Sequence, residues 1–336
     1  MKVILLLKEI SIEILRKCPN HCIHCSSRSA ESCSELLPYS VCSSAIKDAA
    51  RLGASVISFS GGEPFLHPDI KKMIDLTYSI GLTSYIYTSG VVFNPAGIRV
   101  PLKTSVLYAL KGKVNKIIFN IGASIPETYD AITSIPGSFE LMKQSVTTVV
   151  GMGICAEAHF VPMCLNLSQI EQTLQLCQKL GIKKVSFLRL VLQGRAREYA
   201  ERVELSSEEL WKLRHDLEKL RKQFPSTIRI GIPLSINGDS HRCMAAMEKL
   251  NIRYDGKVFP CEVFKDGCAD LSLTGFEPES IYEQSLLDIY QHSPYLHQVR
   301  TMANTLSHCD SHETCIGQYL INSAKRRDMK GAVYHE

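Results

Sequence analysis

The chain has 336 residues, 45% hydrophobic and 21% charged, with a formal net charge of +4 at neutral pH. That balance excludes a disordered chain, and the length exceeds the roughly 250–300 residues at which single cores stop growing, so two units are expected. Lys and Arg are interspersed with Asp and Glu without a basic stripe, so nucleic acid is not an expected partner.

The first apolar run, Val3 to Leu7, is cut off by Lys8 and Glu9. It is too short for a signal peptide or a membrane span, and a cytoplasmic protein that avoids membranes is expected. Thirteen cysteines in such a chain point to metal or redox chemistry rather than to disulfides.

From residue 9 to about 191, β-branched and apolar runs alternate with segments of helical period, the pattern of parallel βα units. The predicted strands are Ile10–Leu15, Val56–Ser60, Thr83–Tyr87, Lys116–Ile121, Ala156–Val161 and Val185–Val191. Six such units fit an open doubly wound sheet or a partial barrel, and either places active residues at the C-terminal strand ends. Ser206 and Glu209 form a capping-box pair that opens a helix running to Gln223. After Pro225 the chain turns to short strands, Gly, Pro and Cys, and helical period returns only at Ile281–His292. The expected units are 1–225 and 226–336.

The first predicted strand runs into Cys18-Pro19-Asn20-His21-Cys22-Ile23-His24-Cys25, three cysteines spaced C-x3-C-x2-C on one short loop. Three thiolates on a cubane of four irons leave one iron free for a ligand. The residues alone also allow zinc, with a fourth ligand borrowed from His21, His24 or a distant residue, or simple core thiols. The second strand ends in Ser60-Gly61-Gly62-Glu63-Pro64, where two glycines permit a close backbone approach and a carboxylate follows.

Together these two motifs resemble those of the radical S-adenosylmethionine (radical SAM) superfamily. The resemblance implies an α/β fold, a partial (β/α)6 TIM-like barrel with a small C-terminal α+β iron-sulfur domain. It also implies that Cys18, Cys22 and Cys25 hold a [4Fe-4S] cluster that binds S-adenosyl-L-methionine (AdoMet). His24 occupies the position that is often aromatic in the family. Gly61, Gly62, Glu63 and Pro64 match the family's AdoMet-binding turn, and Thr88 and Ser89 match a Thr-Asn-Gly turn that lines the pocket. Asn120 stands where the family often has a ribose-contacting serine, and Gly122 replaces a common aspartate, so the substrate contacts of relatives do not carry over. Arg189, before Gly194-Arg195-Ala196, is a candidate for the AdoMet carboxylate.

In the second unit, Cys243 and Cys261 follow the pattern C-x12-G-x4-C, with Asp255-Gly256 as a hairpin turn. This resembles the opening of the SPASM domain and its shorter relative, the twitch domain. The resemblance implies one auxiliary [4Fe-4S] cluster held by Cys243, Cys261, Cys309 and Cys315, with Cys268 as a substitute ligand or a free thiol. Spacing alone also permits a four-cysteine zinc site. Cys164 and Cys268 are candidate hydrogen-atom donors.

The implied reaction is one-electron cleavage of AdoMet to methionine and a 5'-deoxyadenosyl radical, which takes a hydrogen atom from the substrate. The resemblance to peptide maturases implies a ribosomally made peptide as substrate, joined by a crosslink or thioether or epimerised, with flavodoxin or ferredoxin as reductant. Two alternatives stay open: a dehydrogenase of a small molecule such as a sugar or aminocyclitol, and a non-catalytic iron-sulfur or zinc scaffold.

Overall fold

A computed structural model describes residues 6–224, 227–231, 234, 243–266, 275–306 and 315–317. The six expected strands form as β1 (Glu9–Leu15), β2 (Val56–Gly61), β3 (Thr83–Thr88), β6 (Lys116–Asn120), β7 (Ala156–Phe160) and β8 (Val185–Phe187). A small antiparallel hairpin, β4 (Val91–Phe93) and β5 (Arg99–Pro101), follows β3. β9 (Ile228–Ile230) comes next, then β10 (Lys249–Ile252) and β11 (Val258–Phe259). The main sheet has the order β11-β10-β1-β2-β3-β6-β7-β8-β9, parallel throughout except for the terminal β10–β11 hairpin. This is the sheet of a partial TIM-like barrel.

Strand alternation divides the sheet into two faces. Ile10, Ile12, Ile14, Ile57, Phe59, Ile86, Ile117, Phe119, Phe160 and Phe187 are fully buried in the core. The opposite face is mostly polar, and its residues meet across neighbouring strands: Ser58 Oγ donates to Glu9 (2.8 Å), Lys116 pairs with Glu157 (3.1 Å), and the rings of Tyr87 and His159 lie 5.1 Å apart. Burying a charged face is costly unless its groups are paired, and here they are. This polar face is the inner wall of the barrel.

The expected sixth strand overruns its observed end. Leu188 N still donates to Phe160 O and Gly231 N to Phe187 O, but among the described residues β9 stops at Ile230 and gives residues 188–191 no further strand partner. The capping box forms as expected, with Glu209 N donating to Ser206 Oγ and Ser206 N to Glu209 Oε2, and the helix runs Ser207–Gln223. The expected helix Ile281–His292 is shorter, Leu286–His292, because Ser285 caps it by accepting from Asp288 N. A second helix, Pro294–Leu306, follows.

The Asp255-Gly256 hairpin forms with Gly256 at φ +82°, and its strand β10 docks parallel on β1 with Glu9 opposite Lys249. Sequence from beyond residue 225 thus extends both edges of the barrel sheet, through β9 on one side and β10 on the other. Among the described residues no helix is long and apolar enough to cross a membrane.

Candidate active site

Cys18, Cys22 and Cys25 lie on the loop leaving the C-terminal end of β1. The loop is pinned from several directions. Cys18 N donates to Ala30 O (3.0 Å), His21 N and Ile23 N donate to Thr133 O and Ile132 O (both 2.9 Å), and Arg99 Nε of the β4–β5 hairpin donates to Pro19 O (2.9 Å). From the end of the barrel, Arg195 N donates to Cys25 O (3.0 Å), Nε to Cys22 O (2.9 Å) and Nη2 to Ser29 O (2.6 Å). Gly194 sits at φ +58°, and a side chain there would fall 2.4 Å from both Cys25 O and Ser26 O. Sequence reading gave Arg195 no role, because its partners lie about 170 residues away.

The three thiols feel one another. Burial, with the Cys22 and Glu63 charges, pushes Cys18 well above the ordinary thiol range. Burial and Cys25 push Cys22 up to about 12, with Arg195 acting in the other direction. Ser29 N donates to Cys25 Sγ at 3.4 Å. Buried sulfurs that resist ionising beside one another become thiolates only against a cation, so the chemistry of the donor set suits a metal or an iron-sulfur cluster, although among the described residues no three such side chains are drawn together closely enough to hold a metal ion.

At the end of β2, the close approach made by the glycines is to the cysteine loop itself. A Cβ on Gly61 would fall 2.2 Å from Leu15 O, and one on Gly62 would fall 2.0 Å from Lys17 O. Glu63 is fully buried and accepts from Thr88 Oγ1 (2.7 Å), Ser89 Oγ (2.6 Å), Ser89 N (2.8 Å) and Phe65 N (3.3 Å). Burial pushes its carboxyl above the usual range despite these donors. Four protein donors fill its four acceptor sites, so the side chain holds the ends of β2 and β3 together. Pro64 begins the 3-10 turn that follows. Glu63→Gln would aim an amide N–H at a donor, and we expect it to cost about 1–3 kcal/mol, measured as a lower Tm of the reconstituted protein.

His24 and Asn120 also come together, with Asn120 Nδ2 and His24 Nε2 3.3 Å apart. Burial, then Arg195, pushes His24 down to about 4, so its ring is neutral at pH 7, and among the described residues its buried Nδ1 has no hydrogen-bond partner. Arg189 is half-buried just beyond β8. Cys164 is exposed and donates to Glu204 O (2.7 Å), and the structure does not bring it to the other site residues.

In the second unit Cys243, Cys261 and Cys315 lie within electrostatic reach of one another, and burial is the main cause of the raised Cys243 and Cys261 thiols. Cys268 and Cys309 lie outside the described residues. Beside this group lies part of the polar inner wall, where Lys249 faces Glu262 (3.3 Å) and Glu9 (3.9 Å) and feels Cys261. Glu262 directly follows Cys261. Sequence reading missed this wall, although the alternation Glu9-Ile10-Ser11-Ile12-Glu13 was its signal.

Comparison with known proteins agrees with this geometry. The radical SAM superfamily profile matches residues 12–205. The chain belongs to the radical SAM superfamily. A SPASM iron-sulfur cluster-binding domain matches residues 243–316. This radical SAM enzyme therefore binds a [4Fe-4S] cluster and AdoMet and carries an auxiliary iron-sulfur domain.

Relatives include an AdoMet-dependent heme synthase of Oleidesulfovibrio alaskensis, 24% identical over 92% of this chain and 81% of its own. The PqqA peptide cyclase of Ruegeria pomeroyi is 23% identical over 84% of this chain and 76% of its own. Among solved structures, Streptococcus suis SuiB bound to S-adenosylmethionine aligns with a TM-score of 0.71 at 16% identity, covering 88% of this chain and 68% of SuiB. SuiB has also been solved with its precursor peptide SuiA.

Proposed function

We propose that this radical SAM enzyme modifies a ribosomally made peptide, forming a crosslink, a thioether or an epimer. The observation that carries the reading is the likeness to a peptide cyclase over 84% of the chain. The fold shared with SuiB is consistent with it.

Cys18, Cys22 and Cys25 hold the AdoMet-binding cluster in this reading. The Gly61–Pro64 turn, His24, Thr88, Ser89, Asn120 and Arg189 surround AdoMet, and Cys243, Cys261, Cys309 and Cys315 hold one auxiliary [4Fe-4S] cluster. When bound, cluster and AdoMet supply a one-electron cleavage whose 5'-deoxyadenosyl radical takes a hydrogen atom from the substrate. The barrel's task is to keep water from that radical and to orient the substrate, and its inner wall of Glu9, Tyr87, His159, Lys249 and Asn251 is the surface that does so. Asn251 is fully buried, and among the described residues neither its Oδ1 nor its Nδ2 has a hydrogen-bond partner, so its amide is available to a substrate amide. Flavodoxin or ferredoxin is the electron donor in the cytoplasm, replaced in vitro by dithionite.

The test is anaerobic incubation of the reconstituted enzyme with dithionite, AdoMet and the short peptides encoded beside its gene. We expect a peptide that loses two hydrogens, or that takes up one solvent deuterium at an epimerised carbon. The heme synthase likeness, broader at 92% of this chain, favours a small-molecule substrate as second reading. Unchanged peptides together with turnover of a tetrapyrrole would replace the first reading by the second.

A further inference from the structure

The two units meet at the cysteine loop through buried charge. Lys265, four residues beyond Cys261, is 7% exposed, and Glu13 in the middle of β1 is 2% exposed. The Lys265 ammonium donates to Glu13 Oε1 and to Ser27 Oγ (2.8 Å), and Ser27 Oγ donates to the same Glu13 oxygen (2.9 Å). Ser27 lies two residues past Cys25. Burial pulls Lys265 down, but its contact with Glu13 outweighs it and holds the ammonium above its ordinary value. The side chain is therefore a fixed cation.

The neighbouring residues lock the same contact. Asp266 Oδ2 accepts from Gly194 N (2.7 Å) and pairs with Arg197 Nη1 (3.3 Å), and Gln193 Nε2 donates to Glu262 O (3.0 Å). Residues 262–266 of the second unit thus grip the 193–197 turn, which in turn holds Cys22, Cys25 and Ser29 through Arg195. Structural bonding alone does not call for an ion pair here. Buried pairs are weak stabilisers, whereas a charge close to a redox centre acts on it through low-dielectric surroundings.

We propose that Lys265 and Glu13 are positioning residues that set the reduction potential of the cluster on Cys18, Cys22 and Cys25, the cation easing its reduction and the carboxylate opposing it. The proposal rests on the reading that these cysteines carry the AdoMet cluster. It makes the second unit a partner in AdoMet cleavage as well as the seat of the auxiliary cluster. The electron itself comes from the external reductant.

The test is a potentiometric EPR titration of full-length, anaerobically reconstituted Lys265→Met, Glu13→Gln and the double variant. The signal followed is the one that AdoMet perturbs, with the auxiliary cluster's signal as internal reference. At the potential that half-reduces the wild type, Lys265→Met is expected to have about a tenfold lower ratio of reduced to oxidised cluster, about 59 mV for one electron. Glu13→Gln is expected to shift the other way, the double variant to return towards wild type, and Lys265→Arg to stay there. Shifts of the same sign in both single variants would overturn the proposal. So would an unmoved potential at full iron content, or iron loss in both singles that the double variant repairs while the potential stays fixed. If the wild type itself shows no AdoMet-perturbed signal, the cluster assignment fails first, and that outcome is recognisable before any variant is made.

Discussion

Arg195→Met is expected to loosen the cysteine loop enough that the protein loads less iron and cleaves AdoMet at least tenfold more slowly. The guanidinium is 4% exposed and spans two carbonyls, Cys22 O and Ser29 O, on either side of the third cysteine. Hydrogen bonds from a charged donor are worth about 1.5–3 kcal/mol each, and a buried carbonyl left without a donor costs a similar amount. The penalty falls on a loop that must hold three sulfurs in fixed relation, so it appears in iron content as well as in Tm. Arg195→Lys is not expected to rescue the variant, because one ammonium cannot copy a planar fork that reaches both carbonyls. The measurement is iron and sulfide per chain, with Tm, for wild type and both variants. Full iron loading in Arg195→Met would show that the loop holds itself.

The second large effect is expected from Cys18→Ala/Cys22→Ala/Cys25→Ala. Reconstituted wild type should hold about eight irons, two cubanes of four, and the triple variant about half of that. The EPR signal that remains should be the auxiliary one, unaltered by AdoMet. The converse variant, Cys243→Ala/Cys261→Ala/Cys315→Ala, should keep the AdoMet-perturbed signal. A triple variant that binds as much iron as the wild type would place the AdoMet cluster elsewhere.

Much of the barrel was legible because its strands are local objects. Ile10–Leu15, Val56–Ser60 and Thr83–Tyr87 are runs rich in β-branched and apolar residues, and each forms within one residue of its expected limits. The sixth strand was overextended because Leu188, Leu190 and Val191 are apolar enough for a strand, while pairing depends on how far β9 reaches, which composition does not encode. The β4–β5 hairpin carried a signal in Asn94-Pro95 and Gly97, the last at φ +76°. It was passed over because three-residue strands hardly stand out from loop.

The site divides in the same way. Cysteine spacing within one loop and the Gly61-Gly62-Glu63-Pro64 turn are contiguous, so the sequence displays them. What holds them is not contiguous: Arg195 with Cys22, Lys265 with Glu13, and Arg99 with Pro19 join residues 80 to 252 positions apart. Only the folded chain reveals such pairs. The two glycines carry a reason the sequence did not display, since the close contact they permit is to Leu15 O and Lys17 O.

The most direct test of the account is a single anaerobic reaction of wild-type protein with dithionite and AdoMet, analysed for 5'-deoxyadenosine and methionine. The account predicts both products in equal amounts, from a protein whose metal is iron with matching sulfide. Zinc in place of iron, or intact AdoMet after prolonged reduction of a fully iron-loaded protein, would contradict it and leave a metal-binding scaffold.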